Sequence, residues 1–181
     1  MNWLTYHKQL LKLVETIETL MPSQVSVQDA LLRAIQTWEP YINLYGSPGT
    51  GKTFVAHVLH HRTALVYFSD PTHYDASVSR ESAVVIDNAP PARQEARRLY
   101  DRIRWGQKDY TGPRNVILIT RQPIDDAVRR IELTLTDTDI VHIENIIRQQ
   151  FGESNFETIS QYDQQRSGLW WYLKTLAQKA E

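Results

Sequence analysis

The chain has no cysteine among its 181 residues. That absence removes disulfides, zinc–cysteine centres and thiol nucleophiles together. It suits a reducing cytoplasm, where we expect the protein to reside. No apolar run approaches the roughly 20 residues that span a bilayer. The first residues, Met1 to Lys8, spread their apolar side chains periodically instead of clustering them as a signal peptide does. An excess of one charge is also lacking. The 20 Lys and Arg face 21 Asp and Glu, a net charge of −1, which excludes a generally basic nucleic-acid binder but not a local basic patch. Glycine is scarce, with 7 in all, yet Gly46, Gly49 and Gly51 crowd into one short stretch.

That stretch, Gly46-Ser47-Pro48-Gly49-Thr50-Gly51-Lys52-Thr53, matches G-x-x-x-x-G-K-[ST] at every fixed position. An apolar run, Tyr41 to Tyr45, precedes it and a helical pattern, Phe54 to His61, follows. The context is what the chemistry needs, because glycines let the backbone wrap an anion and the next helix aims its N–H groups at phosphates. Lys52 would reach the β- and γ-phosphates and the Thr53 hydroxyl would ligate Mg²⁺. The sequence therefore predicts a nucleoside triphosphate ligand. The guanine-reading pattern N-K-x-D is missing, so ATP is the expected nucleotide, with adenine against guanine left open.

Before the loop, Trp3 to Leu20 carry apolar residues at helical spacing, and Pro22 is expected to stop that helix. Ser26 and Asp29 have capping-box-like spacing for a second helix with Ala30, Leu31, Ala34 and Ile35 on its apolar face. Beyond the loop, strands are predicted at 64–68, 83–86, 115–119 and 131–135. Helices are predicted at 92–105, 125–130, 139–151 and 168–179. Strands alternating with helices imply an α/β sandwich around a mainly parallel sheet. Ligands sit at the carboxyl ends of such strands, so Gly46, Asp87 and Thr120 should converge.

Asp87 follows four apolar residues, the position from which a buried strand's carboxylate orients a Mg²⁺-bound water beside Thr53. The alternative is a helix N-cap. Asn88 comes next, where many P-loop ATPases carry a glutamate that polarises the attacking water. Asparagine can hold a water but takes no proton from it at neutral pH. Either turnover is slow, or a carboxylate such as Asp70, Asp75 or Glu81 serves. Thr120 could bond the γ-phosphate or simply cap the turn before Pro123. Arg129 and Arg130 could stabilise phosphoryl-transfer charge in a neighbouring subunit or form a solvated basic pair. The segment Arg93–Arg114 interleaves Arg97, Arg98, Arg102, Arg104 and Lys108 with Tyr100, Trp105 and Tyr110. It reads as a nucleic-acid-facing stripe or as ordinary intrahelical ion pairs with Glu95 and Asp101. His57, His60 and His61 share a helix without a matching ligand framework, and are expected to pack or face water. Trp170, Trp171 and Tyr172 mark core packing or an interface.

The order of these features resembles the AAA+ ATPases over roughly residues 38–180, closest to the DnaA- and IstB-like members that act on DNA. The resemblance implies an α/β three-layer P-loop NTPase with a mainly parallel five-stranded sheet. It implies N-terminal helices over 1–37, a core over 38–136 and a small C-terminal helical lid over 137–181. Gly46–Thr53 would be Walker A, Asp87 Walker B, Thr120 sensor 1, and Arg129 or Arg130 an arginine finger. Two departures stand out: Asn88, and Gly168-Leu169-Trp170 where a sensor-2 arginine is expected, with Arg166 nearby. The expected function is an ATP-binding assembly switch or weak ATPase, acting as a homo-oligomer or on a partner protein in a DNA-related process. Two alternatives are a small nucleotide or metabolite kinase and an ATP-binding pseudoenzyme that serves as an interaction module.

Overall fold

The most apolar runs become the middle of a sheet. The computed structural model describes residues 20–75, 77, 82–90, 99, 101–103, 106–109, 112–124, 127, 129–139, 141, 142 and 145. Within them, β1 (Tyr41–Tyr45), β2 (Val66–Phe68), β3 (Ala83–Ile86), β4 (Asn115–Thr120) and β5 (Arg129–Glu132) form one sheet, in the order β2-β3-β4-β1-β5. Every neighbouring pair is parallel. All six residues of β4 are buried, as expected for a strand covered on both faces.

Alternation along the strands sorts the core into two layers. Ile42, Leu44, Val85, Ile117 and Ile119 face one side, where they pack with helix α1 (Pro22–Gln36) through Val27, Leu31 and Ala34. Helix α2 (Lys52–Arg62) adds Phe54, Val55, Val58 and Leu59 to the same layer. Tyr41, Val84, Ile86, Val116 and Leu118 face the other side and meet Leu99, Ile103, Ile124 and Tyr74. The architecture is the predicted three-layer α/β arrangement.

Several element boundaries differ from the sequence reading. Strand β2 begins at Val66 rather than residue 64, and β5 ends at Glu132 rather than residue 135. Two further differences bear on the site. Pro22, read in the sequence as a helix stop, opens α1. Its fixed φ suits a first helical position and its missing N–H would have had no helical partner there. Ser26 and Asp29 consequently lie inside the helix, and the first turn is tied by the Met21 N–H donating to Gln24 Oε1 at 3.2 Å. At the other end, Arg129 and Arg130 are the first residues of β5, not the close of a short helix. The register Ile42↔Arg129 and Leu44↔Ile131 carries this. At a sheet edge, arginines are tolerated and even protective, and only Ile131 of that strand is buried.

The predicted helix at 3–21 as far as residue 19, the helix at 168–179, most of 92–105 and 139–151, and the Trp170–Tyr172 cluster lie outside the described residues. So do Glu81, Arg93, Arg97, Arg98, Tyr100, Arg104, Trp105, Tyr110 and Arg166. Leu20 and Met21 are described and not helical. Among the described residues, no helix is long and apolar enough to cross a membrane.

Candidate functional site

Parallel pairing brings the carboxyl ends of β3, β4 and β1 side by side. Asp87 follows β3, Thr120 closes β4 opposite Tyr45, and Gly46 follows β1. The three predicted positions therefore converge at one end of the sheet.

The loop 46–51 takes its shape from its glycines. Gly46, Gly49 and Gly51 have φ of 146°, 83° and 90°, conformations that L side chains rarely adopt. At Gly46 there is also no room, since a Cβ would press into the Leu133 carbonyl. That carbonyl belongs to the segment running on from β5, whose Leu133 N–H donates to Tyr45 O at 2.8 Å. Lys52, at the start of α2, folds back into the loop and donates from Nζ to Gly46 O (2.8 Å) and Ser47 O (2.7 Å). Burial pushes its pKa down to about 8, with Asp87 pulling upward and the nearby cation Arg121 pushing further down. Gln24, buried in α1, reaches the same loop through Nε2 to Thr50 O at 3.4 Å.

Asp87 is almost fully buried. Its Oδ2 accepts from Thr53 Oγ1 at 2.7 Å and from Tyr67 Oη at 2.8 Å, while Oδ1 accepts from the Asn88 N–H at 2.6 Å. Burial raises its pKa, and the bonds from Thr53, Tyr67 and Asn88 and the charge of Lys52 oppose that rise. The paired Thr53 hydroxyl and Asp87 carboxylate are hard oxygen donors, the set that suits a phosphate-bound Mg²⁺. Lys52 and the glycine-shaped loop suit the phosphates.

Asn88 sits in the left-handed region, φ 52°, which asparagine tolerates better than most residues. Its Nδ2 donates to Ser69 O at 3.0 Å, so the side chain pins the end of β3 to the end of β2. Thr120 is buried with its Oγ1 donating to Gln122 O (2.6 Å) and accepting from Asn43 Nδ2 (2.9 Å). Asn43 also donates to Leu118 O and accepts from the Ile124 N–H, so it clamps β1, β4 and the 120–124 turn. Asp70 and Asp75 cap local turns, accepting from Thr72 and Ser77 respectively. Those bonds hold both carboxyls below their usual range, which makes them poor proton acceptors.

The arginines lie elsewhere. Arg129 Nε and Nη2 donate to Glu39, with an ion pair of 3.0 Å. Glu39 precedes β1 and Arg129 opens β5, so the pair marks the end of the sheet opposite Gly46. Arg130 is next along the strand and projects from the other face by alternation. Of the basic segment, Arg102 lies over the Tyr74 ring and Arg114 over the Trp38 ring, 5.9 and 3.2 Å from the centroids. His57 is buried with its ring 4.3 Å from that of Tyr67, and His60 Nδ1 lies 2.6 Å from Leu65 O.

Sequence reasoning missed Tyr67, Asn43, Gln24 and Arg121. Asn43 left a signal, as a polar residue inside an otherwise apolar buried strand needs partners. Tyr67 left none, because its contact with Asp87 depends on β2 lying next to β3.

A P-loop entering a helix, a buried carboxylate at the end of a parallel strand and three layers define the P-loop NTPase fold. Comparison with solved structures finds a similar fold in replication initiators and in RuvB. A crystal structure of a DNA replication initiation factor matches with a TM-score of 0.61 at 13% identity over 90% of this chain and 62% of that one. DnaA from Aquifex aeolicus bound to AMPPCP gives 0.59 at 12% identity, over 89% and 62%. A point variant of RuvB from Thermotoga maritima gives 0.51 at 20% identity, over 73% and 54%. The chain thus has the AAA+ fold, and it spans 54–62% of the length of these neighbours. No protein-family model and no curated protein matches the sequence.

Proposed function

We propose that the chain binds Mg·ATP at loop 46–53 and uses the nucleotide state as an assembly switch, with slow hydrolysis. The observation that carries this reading is the joint placement of Lys52 inside the loop and the Thr53–Asp87 bond at its mouth. Gly46, Ser47, Pro48, Gly49, Thr50 and Gly51 would cradle the phosphates, Lys52 would exchange its loop carbonyls for phosphate oxygens, and Thr53 and Asp87 would hold Mg²⁺. The ion would supply positive charge to offset that of the phosphates. A neighbour of the same fold was solved bound to AMPPCP and single-stranded DNA, which supports both the nucleotide and a DNA-related setting.

Slow turnover follows from Asn88. It offers no carboxylate, and its amide is committed to Ser69 O. Thr120 spends its proton on Gln122 O, so it would respond to nucleotide through the 120–124 turn rather than by direct donation. Arg129 or Arg130 would meet a neighbouring subunit's phosphates, and Arg129 would first have to leave Glu39. The same Asn88 geometry favours a second reading, an ATP-binding interaction module in the cytoplasm that does not hydrolyse at all.

Calorimetric titration of ATP tests the site. Lys52→Ala is expected to weaken binding at least about tenfold, and wild-type turnover should stay below about 0.01 per second, the range of P-loop NTPases lacking full catalytic help. Unchanged binding in Lys52→Ala would contradict the site, and turnover near roughly 10 per second, typical of efficient enzymes, would contradict the switch.

A further inference from the structure

We infer that Tyr67 is a positioning residue for the metal half of this site, fixing the Asp87 carboxylate in the orientation that meets Mg²⁺. The inference rests on the Mg·ATP reading above and adds a residue that the loop motif does not contain.

Among the described residues three donors surround Asp87, and they differ in what nucleotide binding would do to them. The Asn88 N–H belongs to the backbone beside Oδ1 and stays there. Thr53 Oγ1 is bonded to Oδ2, but it is also the hydroxyl that the motif assigns to the metal. With a cation bound, the Thr53 hydroxyl would answer to the ion as well as to Asp87. Tyr67 Oη, 2.8 Å from Oδ2, is the side-chain donor on the protein's own side. It comes from β2, outside the P-loop motif.

The ring is itself held in place. Tyr67 is paired in register with Val85 of β3, and the Asp87 N–H donates to Phe68 O at 2.8 Å, so the two strand ends are fastened together. The buried His57 ring packs 4.3 Å from the Tyr67 ring, and His57 lies on α2, one turn beyond Thr53. The hydroxyl is thus braced by β3 on one side and by α2 on the other. A carboxylate with two fixed donors has one orientation, and its remaining acceptor capacity is aimed at one place. Without Tyr67, Oδ2 keeps only the bond to Thr53, and the buried carboxylate can follow that hydroxyl or rotate away from the metal position.

The test measures ATP affinity with saturating Mg²⁺ and with EDTA, for the wild type, Tyr67→Phe and Tyr67→Leu. Tyr67→Phe keeps the ring against His57 and removes only the donor. The expected result is that both variants lose about tenfold in the Mg²⁺-dependent gain in affinity, the size of one hydrogen bond to a charged group, while binding in EDTA is unchanged. Mn²⁺ in place of Mg²⁺ should report the same loss as weaker ion binding in the ternary complex. A purely structural role would instead weaken binding equally with and without the ion, and that result overturns the inference. So does a Tyr67→Phe variant that matches wild type. If the wild type binds no ATP under either condition, the functional reading itself fails and takes this one with it.

Discussion

At the scale of single residues, the decisive feature is a lysine inside a loop that offers it only carbonyl and hydroxyl oxygens. Lys52 has its pKa pushed down to about 8 by burial, against the pull of Asp87 and with a further push from Arg121. The usual value is higher, so the unfolded chain binds this proton more tightly than the folded one. Charging Lys52 therefore opposes folding fully below pH 8, and the penalty fades as pH rises toward 10.5. Phosphates reverse the balance, because a dense negative charge favours the ammonium form. ATP binding should then take up a proton above pH 8, and its apparent affinity should fall by up to about tenfold per pH unit there. Titration calorimetry at about pH 8.5 in buffers of different ionisation enthalpy would show the uptake. Proton release, or an affinity that rises with pH, would contradict the assignment.

At the scale of elements, the site is held together by a few polar clamps between segments far apart in sequence. Asp139 is one. It is buried, and its carboxylate accepts from the Ser23 N–H and Oγ (2.8 and 2.5 Å) and from the Thr136 N–H and Oγ1 (2.7 and 2.8 Å). Burial alone would raise its pKa, but these bonds outweigh it and hold the carboxyl below its usual range. The clamp ties the first turn of α1, which supplies Gln24 to the loop, to the segment after β5. Asp139→Asn keeps the shape but removes the charge and half of the acceptor capacity, so it should cost about 1–3 kcal/mol near neutral pH. The difference between wild type and variant should narrow as pH falls through the depressed pKa, because the wild type loses its charge there. Urea denaturation at about pH 7 and about pH 3 measures both effects.

Clamps of this kind also mark what the sequence could reveal. The apolar runs and the loop announced the strands, the parallel sheet and the convergence of Gly46, Asp87 and Thr120, because each depends only on local pattern. The β5 start was placed two residues late, since periodicity cannot tell an edge strand beginning Arg129-Arg130 from the end of a short helix. Tyr67 and Asn43 depend on sheet order, which no local pattern carries.

At the scale of the whole molecule, the sheet places its chemistry at two ends. The carboxyl end holds Lys52, Thr53 and Asp87, and the opposite end carries the Arg129–Glu39 pair beside the edge strand. A second copy or a partner docking near β5 could bring an arginine to a neighbour's nucleotide, which would couple occupancy to assembly. The measurement that tests this most directly is the mass in solution without nucleotide, with Mg·ADP and with Mg·ATP, for wild type, Lys52→Ala, Arg129→Ala and Arg130→Ala. The account predicts a larger species with Mg·ATP alone, lost in Lys52→Ala and weakened in one or both of the arginine variants. A mass that stays the same while ATP is demonstrably bound would contradict the switch.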